Sequence, residues 1–109
     1  MTAQQEQQCY AYALVRTDLP LPAQLVQVGH ACLQAGKQFL QPTEPCNLIV
    51  LAMVLQAHLQ AAIDFVTFNG ISYTAFTEPE HNLGITAACT QPLNLQQRRV
   101  FKHYKLWSI

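Results

Sequence analysis

The chain has few glycines, little charge and no long hydrophobic run, and each shortage excludes a class of protein. Its longest apolar stretch, Leu48 to Leu55 (LIVLAMVL), is far short of the roughly 20 residues a spanning helix needs, so no membrane segment is expected. With four glycines in 109 residues, a glycine-rich loop to cradle phosphates is not expected either. G-x-S-x-G and H-E-x-x-H are both missing, so neither a nucleophile elbow nor a zinc-protease helix can be read. The four cysteines, Cys9, Cys32, Cys46 and Cys89, form no C-x-x-C pair. That spacing argues against zinc, and disulfide frameworks belong to secreted chains. All four are expected to be reduced and mostly buried, with no metal and no cofactor. The opening MTAQQEQQCY carries neither a basic flank nor an apolar core, so it does not read as a signal peptide and the expected location is cytoplasmic.

What is present is a half-hydrophobic chain with 11% charged residues, enough apolar surface for one core and too apolar for a disordered tail. A frayed segment at 1–9 and a single domain over 10–109 are expected. The net charge of zero divides unevenly: residues 1–97 carry −4, and the last twelve carry +4 from Arg98, Arg99, Lys102 and Lys105. Such a patch can touch a few phosphates, or simply complement the carbonyl end of a terminal helix.

Periodicity supplies the elements. Tyr10 to Arg16 (YAYALVR) reads as a buried strand closed by Thr17-Asp18. A helix from Pro22 to Phe39 has Leu25, Val28, Cys32, Ala35 and Phe39 as its apolar stripe, with Gln24, Gln27, Ala31, Gln34 and Gln38 on another. The loop Gln41–Pro45 precedes a strand over Asn47–Val54, read as buried on both faces. Leu55–Phe68 is helical and ends at Asn69-Gly70. Strands follow at Ile71–Thr77 and Ile85–Thr90, joined by the polar loop 78–84, and Asn94 caps a last helix over Leu95–Tyr104. The order β-α-β-α-β-β-α implies an α/β three-layer sandwich, a four-stranded mixed sheet with helices on both faces. Ligands of such sheets gather at the carboxyl ends of the parallel strands, here near Asp18 and Glu78. An edge strand, or the aromatic end Phe101, Tyr104 and Trp107, offers a surface for a homodimer.

The segment VRTDL at 15–19 followed by AQLVQVGHA at 23–31 resembles the opening of the type 2 peptidyl-tRNA hydrolases, with their R-x-D-L strand end and A-Q-x-x-H-A helix. A helix ending at Gly70, a strand reaching the acid Glu78 and Thr86 in the last strand extend the likeness over roughly residues 10–107. Through EPEHN before Thr86 it is closest to the divergent peptidyl-tRNA hydrolase domain-containing branch. The resemblance implies the same α/β sandwich and hydrolysis of the ester between a peptide and the tRNA 3′ end. It implies Glu78 as the base, provided burial lifts its pKa, Thr86 as an oxyanion donor and His30 as an orienting or proton-shuttling group. Asp18, Gln27, Arg98, Arg99 and Lys102 are the candidate substrate contacts. The sequence departs from the family in three places. Ala23 stands where the family has lysine at the helix start, Glu78 replaces its aspartate, and Pro79–Gly84 replaces its threonine-containing loop. A non-catalytic domain that binds tRNA or another protein is the alternative expectation.

Overall fold

The computed structural model describes residues 9–41 and 45–109; most of the expected frayed N-terminus and the centre of the Gln41–Pro45 loop lie outside the described residues. Four strands and two long helices alternate: β1 (Tyr10–Arg16), α1 (Leu21–Phe39), β2 (Asn47–Met53), α2 (Gln56–Phe68), β3 (Tyr73–Glu78) and β4 (Gly84–Thr90). A single turn, α3 (Leu95–Arg98), then runs into a 3₁₀ turn over Arg99–Phe101.

The strand order is β2-β1-β4-β3. β1 and β2 pair in parallel, while β4 runs antiparallel to both β1 and β3. The first crossover steps from β1 to one edge, and the second returns across the sheet to the other. Crossovers of one hand that reverse direction place their helices on opposite faces. The core shows this division. Tyr12, Leu14, Leu51 and Met53 pack with Leu59, Ile63 and Val66 of α2, whereas Ala13, Val15, Ala87 and Cys89 pack with Ala31 and Ala35 of α1. The chain is therefore an α/β sandwich with a four-stranded mixed sheet, in the order that its periodicity implied.

Small side chains bring α1 close to the sheet. With alanines on both surfaces, the Thr74 hydroxyl reaches the Ala31 carbonyl at 3.0 Å. Burial along α1 then differs from the apolar stripe read in the sequence: Gln24, Gln27, Ala31 and Ala35 face inward, and Leu25 is 57% exposed. Buried glutamines are tolerated because every polar atom finds a partner. Gln24 donates to the Leu19 carbonyl at 2.7 Å and accepts from the Trp107 indole at 2.8 Å.

Three further expectations are corrected. β2 is exposed over its first two residues because it ends the row of strands. Among the described residues its free edge is met by the C-terminal segment, where Ala52 donates to Lys105 and Trp107 to Val50, each at 2.9 Å. The last helix stops at Arg98 rather than Tyr104, despite a capping box between Asn94 and Gln97. Its continuation is drawn inward by Phe101, which stacks on Tyr12 with centroids 4.4 Å apart. The aromatic end offered for a dimer is thus largely spent within the chain. Among the cysteines only Cys89 is buried; Cys9, Cys32 and Cys46 are half-buried, and none of the four is in a disulfide. Among the described residues, no helix is long and apolar enough to cross a membrane.

Candidate functional site

The parallel strands β1 and β3 end at Arg16 and Glu78, beside the start of β4 and the first turns of α1. A β-bulge shapes this edge. Phe76 pairs with Ala87, but the next residue, Thr77, pairs with Ile85. Thr86 is therefore the extra residue in β4. A bulge re-aims a side chain, and here the Thr86 hydroxyl turns toward α1 and donates to Gln27 Oε1 at 2.6 Å. Gln27 Nε2 in turn donates to Glu78 Oε2 at 2.7 Å. The Glu80 amide donates to Glu78 Oε1 at 3.2 Å. Thr86, Gln27 and Glu78 thus form one hydrogen-bonded chain through a glutamine that is 4% exposed.

The electrostatics run opposite to the sequence expectation for the acid. Glu78 is held below the usual carboxylate range, first by the Gln27 amide, then by the Glu80 N–H, with smaller contributions from the imidazoles of His81 and His30. Hydrogen bonds to the charged form outweigh desolvation here, so the group is a carboxylate at neutral pH. Thr86 is wholly buried, with its proton engaged by Gln27 and the Phe76 carbonyl as a second acceptor at 3.3 Å. It therefore positions Gln27 and is not presented to a ligand. His30, one turn beyond Gln27, is exposed and stacks flat on Phe76, with centroids 4.3 Å apart and planes at 9°.

The other candidates are placed elsewhere. Asp18 grips Arg16 with both oxygens, Nε–Oδ1 at 3.0 Å and Nη2–Oδ2 at 2.8 Å, and this hydrogen-bonded pairing lowers its pKa. Arg16 is 7% exposed, and its Nη1 donates to the carbonyls of Leu83 and Ile85. This cation, given no role from the sequence, ties the end of β1 to the start of β4; the R-x-D spacing was its only signal. Arg98 lies at the opposite end of β1, with its guanidinium 3.6 Å from the Tyr10 ring centroid and Nε donating to the Tyr12 hydroxyl at 3.2 Å. Arg99 and Lys102, in the turn that follows, are exposed. The structure brings together Gln27, Glu78, Thr86 and His30, and leaves the basic segment apart from them. Among the described residues no group of three or more His, Cys, Asp or Glu side chains is placed to hold a metal.

No protein-family profile and no curated protein matches the chain. Among solved structures it is similar to Atu0240, a protein of unknown function from Agrobacterium tumefaciens, with a TM-score of 0.70 and 11% identity over 92% of this chain and 98% of the other. At that identity the similarity shows the fold alone.

Proposed function

We propose that the edge carrying Glu78 is a hydrolytic site of the peptidyl-tRNA hydrolase kind. The observation that carries the reading is Gln27, buried between Glu78 and Thr86 and fixing the carboxylate by a 2.7 Å hydrogen bond. An ester with a ribose leaving group requires a base for the attacking water and a donor for the developing oxyanion. In this scheme Glu78, ionised at neutral pH but made a weaker base than the sequence expectation by the Gln27 hydrogen bond that lowers its pKa, takes a proton from water as the water oxygen bonds to the ester carbonyl carbon. The tetrahedral intermediate then expels the ribose oxygen, which recovers that proton from Glu78, leaving peptide acid and free tRNA. His30, exposed beside the carboxylate, is the donor assigned to the oxyanion.

A second reading has its own support. Arg16, a cation at this edge, is fully engaged by Asp18 and two carbonyls, and Ala23 takes the place of the family lysine. A site without a free cation can hold a tRNA end and still fail to turn it over. One assay separates the two. Incubation with a peptidyl-tRNA is expected to release peptide, and Glu78→Gln is expected to slow release by about 10²–10⁴-fold, the usual contribution of a general base, with the melting temperature within a few degrees. No release by the unaltered protein over hours at high concentration refutes the hydrolase reading, as does wild-type turnover by Glu78→Gln.

A further inference from the structure

A second feature lies on the α1 face, toward the amino ends of the parallel strands and away from Glu78. A mainly apolar cavity of about 170 Å³ is lined by Cys32 of α1, Cys89 of β4 and Cys46 from the approach to β2, with Ala11, Ala35 and Leu48 among its walls. Three of the four cysteines of the chain therefore share one small space. The alanine-lined contact that lets Thr74 reach the Ala31 carbonyl also draws Cys32, the next residue of α1, close to the sheet. Cys32 packs against the core cluster that holds Cys89, the proximity a disulfide needs, since its Cα atoms must come within about 7 Å.

We propose that Cys32 and Cys89 are an oxidisable dithiol, a modification site at which a small hydroperoxide converts the two thiols to a disulfide joining α1 to β4. The two thiols differ as such a reaction requires. Cys32 is half-buried and Cys89 is buried. The Cys89 thiol, as hydrogen-bond donor, favours the Cys32 thiolate and lowers its pKa. The same contact, with burial and the nearby thiols, raises that of Cys89. Oxidation follows thiolate character and access, so Cys32 reacts first. Its thiolate attacks one peroxide oxygen, the O–O bond breaks, and the other oxygen leaves as an alcohol or water after taking up a proton. Cys89 sulfur then attacks the Cys32 sulfenic acid; the S–S bond forms, the S–O bond breaks, and the departing hydroxide leaves as water with the Cys89 proton. Two thiols and one hydroperoxide thus give one disulfide, one alcohol (or water) and one water.

The bond would span the contact between α1 and β4 that Gln27 and Thr86 also bridge, and would stiffen it. It does not depend on the hydrolase reading, since thiol chemistry is read without any substrate. The test treats the full chain with hydrogen peroxide, titrates thiols after denaturation and maps peptides without reduction. The expected result is a fall from four thiols to two, a Cys32–Cys89 crosslinked peptide, and a melting temperature raised on the order of 10 °C that dithiothreitol reverses. Cys46→Ser should still form the crosslink and Cys32→Ser should not. The proposal is overturned if no crosslink forms at any peroxide concentration that leaves the chain folded, or if the crosslink formed joins Cys46 instead. Mapping of the unaltered protein decides the matter even if a serine variant fails to fold.

Discussion

Thr86→Val is the sharpest perturbation of the candidate site, because valine keeps the shape of a side chain with no solvent exposure and deletes only the hydroxyl. The loss leaves Gln27 Oε1, buried on α1, without the 2.6 Å donor it has in the intact chain. An unpaired buried acceptor costs about 1–3 kcal/mol, and the added methyl returns part of that, for a net of about 1–2 kcal/mol. In a domain of this size the melting temperature should fall by roughly 5–15 °C, with the denaturant slope unchanged. Gln27→Met removes the other partner, and there Thr86 can turn to the Phe76 carbonyl 3.3 Å away. In a double-mutant cycle the pair should be less destabilised than the sum of the singles by about 1 kcal/mol. This coupling should persist at low pH, since neither group titrates. Additivity within about 0.3 kcal/mol would refute the claim that the bulge exists to join β4 to α1 through this bond.

Asp18 should give the chain a measurable acid dependence. Its folded pKa is depressed by the Arg16 side chain, so its stabilisation is present above the unfolded value of about 3.9 and is lost as pH falls through the folded one. Asp18→Asn should cost about 1 kcal/mol at pH 7, a figure discounted for the exposure of the carboxylate, and should converge with the unaltered chain near pH 2 in urea melts; equal stability at pH 7 would contradict the pairing. Gly84→Ala should cost about 1–2 kcal/mol, because its φ of +73° disfavours any Cβ and that Cβ would collide with Gln56 Nε2. Gln56 is exposed and can move aside, so adding Gln56→Ala should recover little; full recovery would show that the clash, not the backbone, is what matters.

Local pattern carried the fold well where local forces decide. YAYALVR set β1 to its final bounds, Asn69-Gly70 ended α2 with Gly70 at φ 72°, and the Asn94 cap formed as its chemistry required. The pattern misled where tertiary packing decides. The Leu95–Tyr104 periodicity was cut at Arg98 because burying Phe101 against Tyr12 outweighs six more residues of helix. The stripe through Leu25 gave way to Gln24 and Gln27, whose burial depends on partners distant in sequence: Trp107, Glu78 and Thr86. No local pattern marks the bulge, because a one-residue shift against β3 leaves no trace in the alternation of β4. Glu78 was legible as an acid at a strand end. Its lowered pKa was not, since that rests on an amide 51 residues away.

The separation of the basic segment from Glu78 bears on the kind of ligand that could use both. Arg98 sits on Tyr10 at the first residue of β1, while Arg16 and the start of the carboxylate edge lie at its last. Six residue steps of strand put about 20 Å between them. Arg98 also touches Tyr12, on the α2 face, whereas Gln27 approaches from α1 on the other. A small ester bound at Glu78 would never meet these cations, and a single nucleotide is too short to bridge the gap. At 3.4 Å per nucleotide along a stacked strand, a polynucleotide covers the distance in about six steps while curving round the sheet. If the two regions serve one ligand, that ligand is an extended polyanion, long enough to lie at Glu78 and still reach the exposed Arg99 and Lys102. If they serve different ones, the cations of α3 and the turn after it act chiefly through Arg98, by fastening the C-terminal segment to Tyr10 and Tyr12.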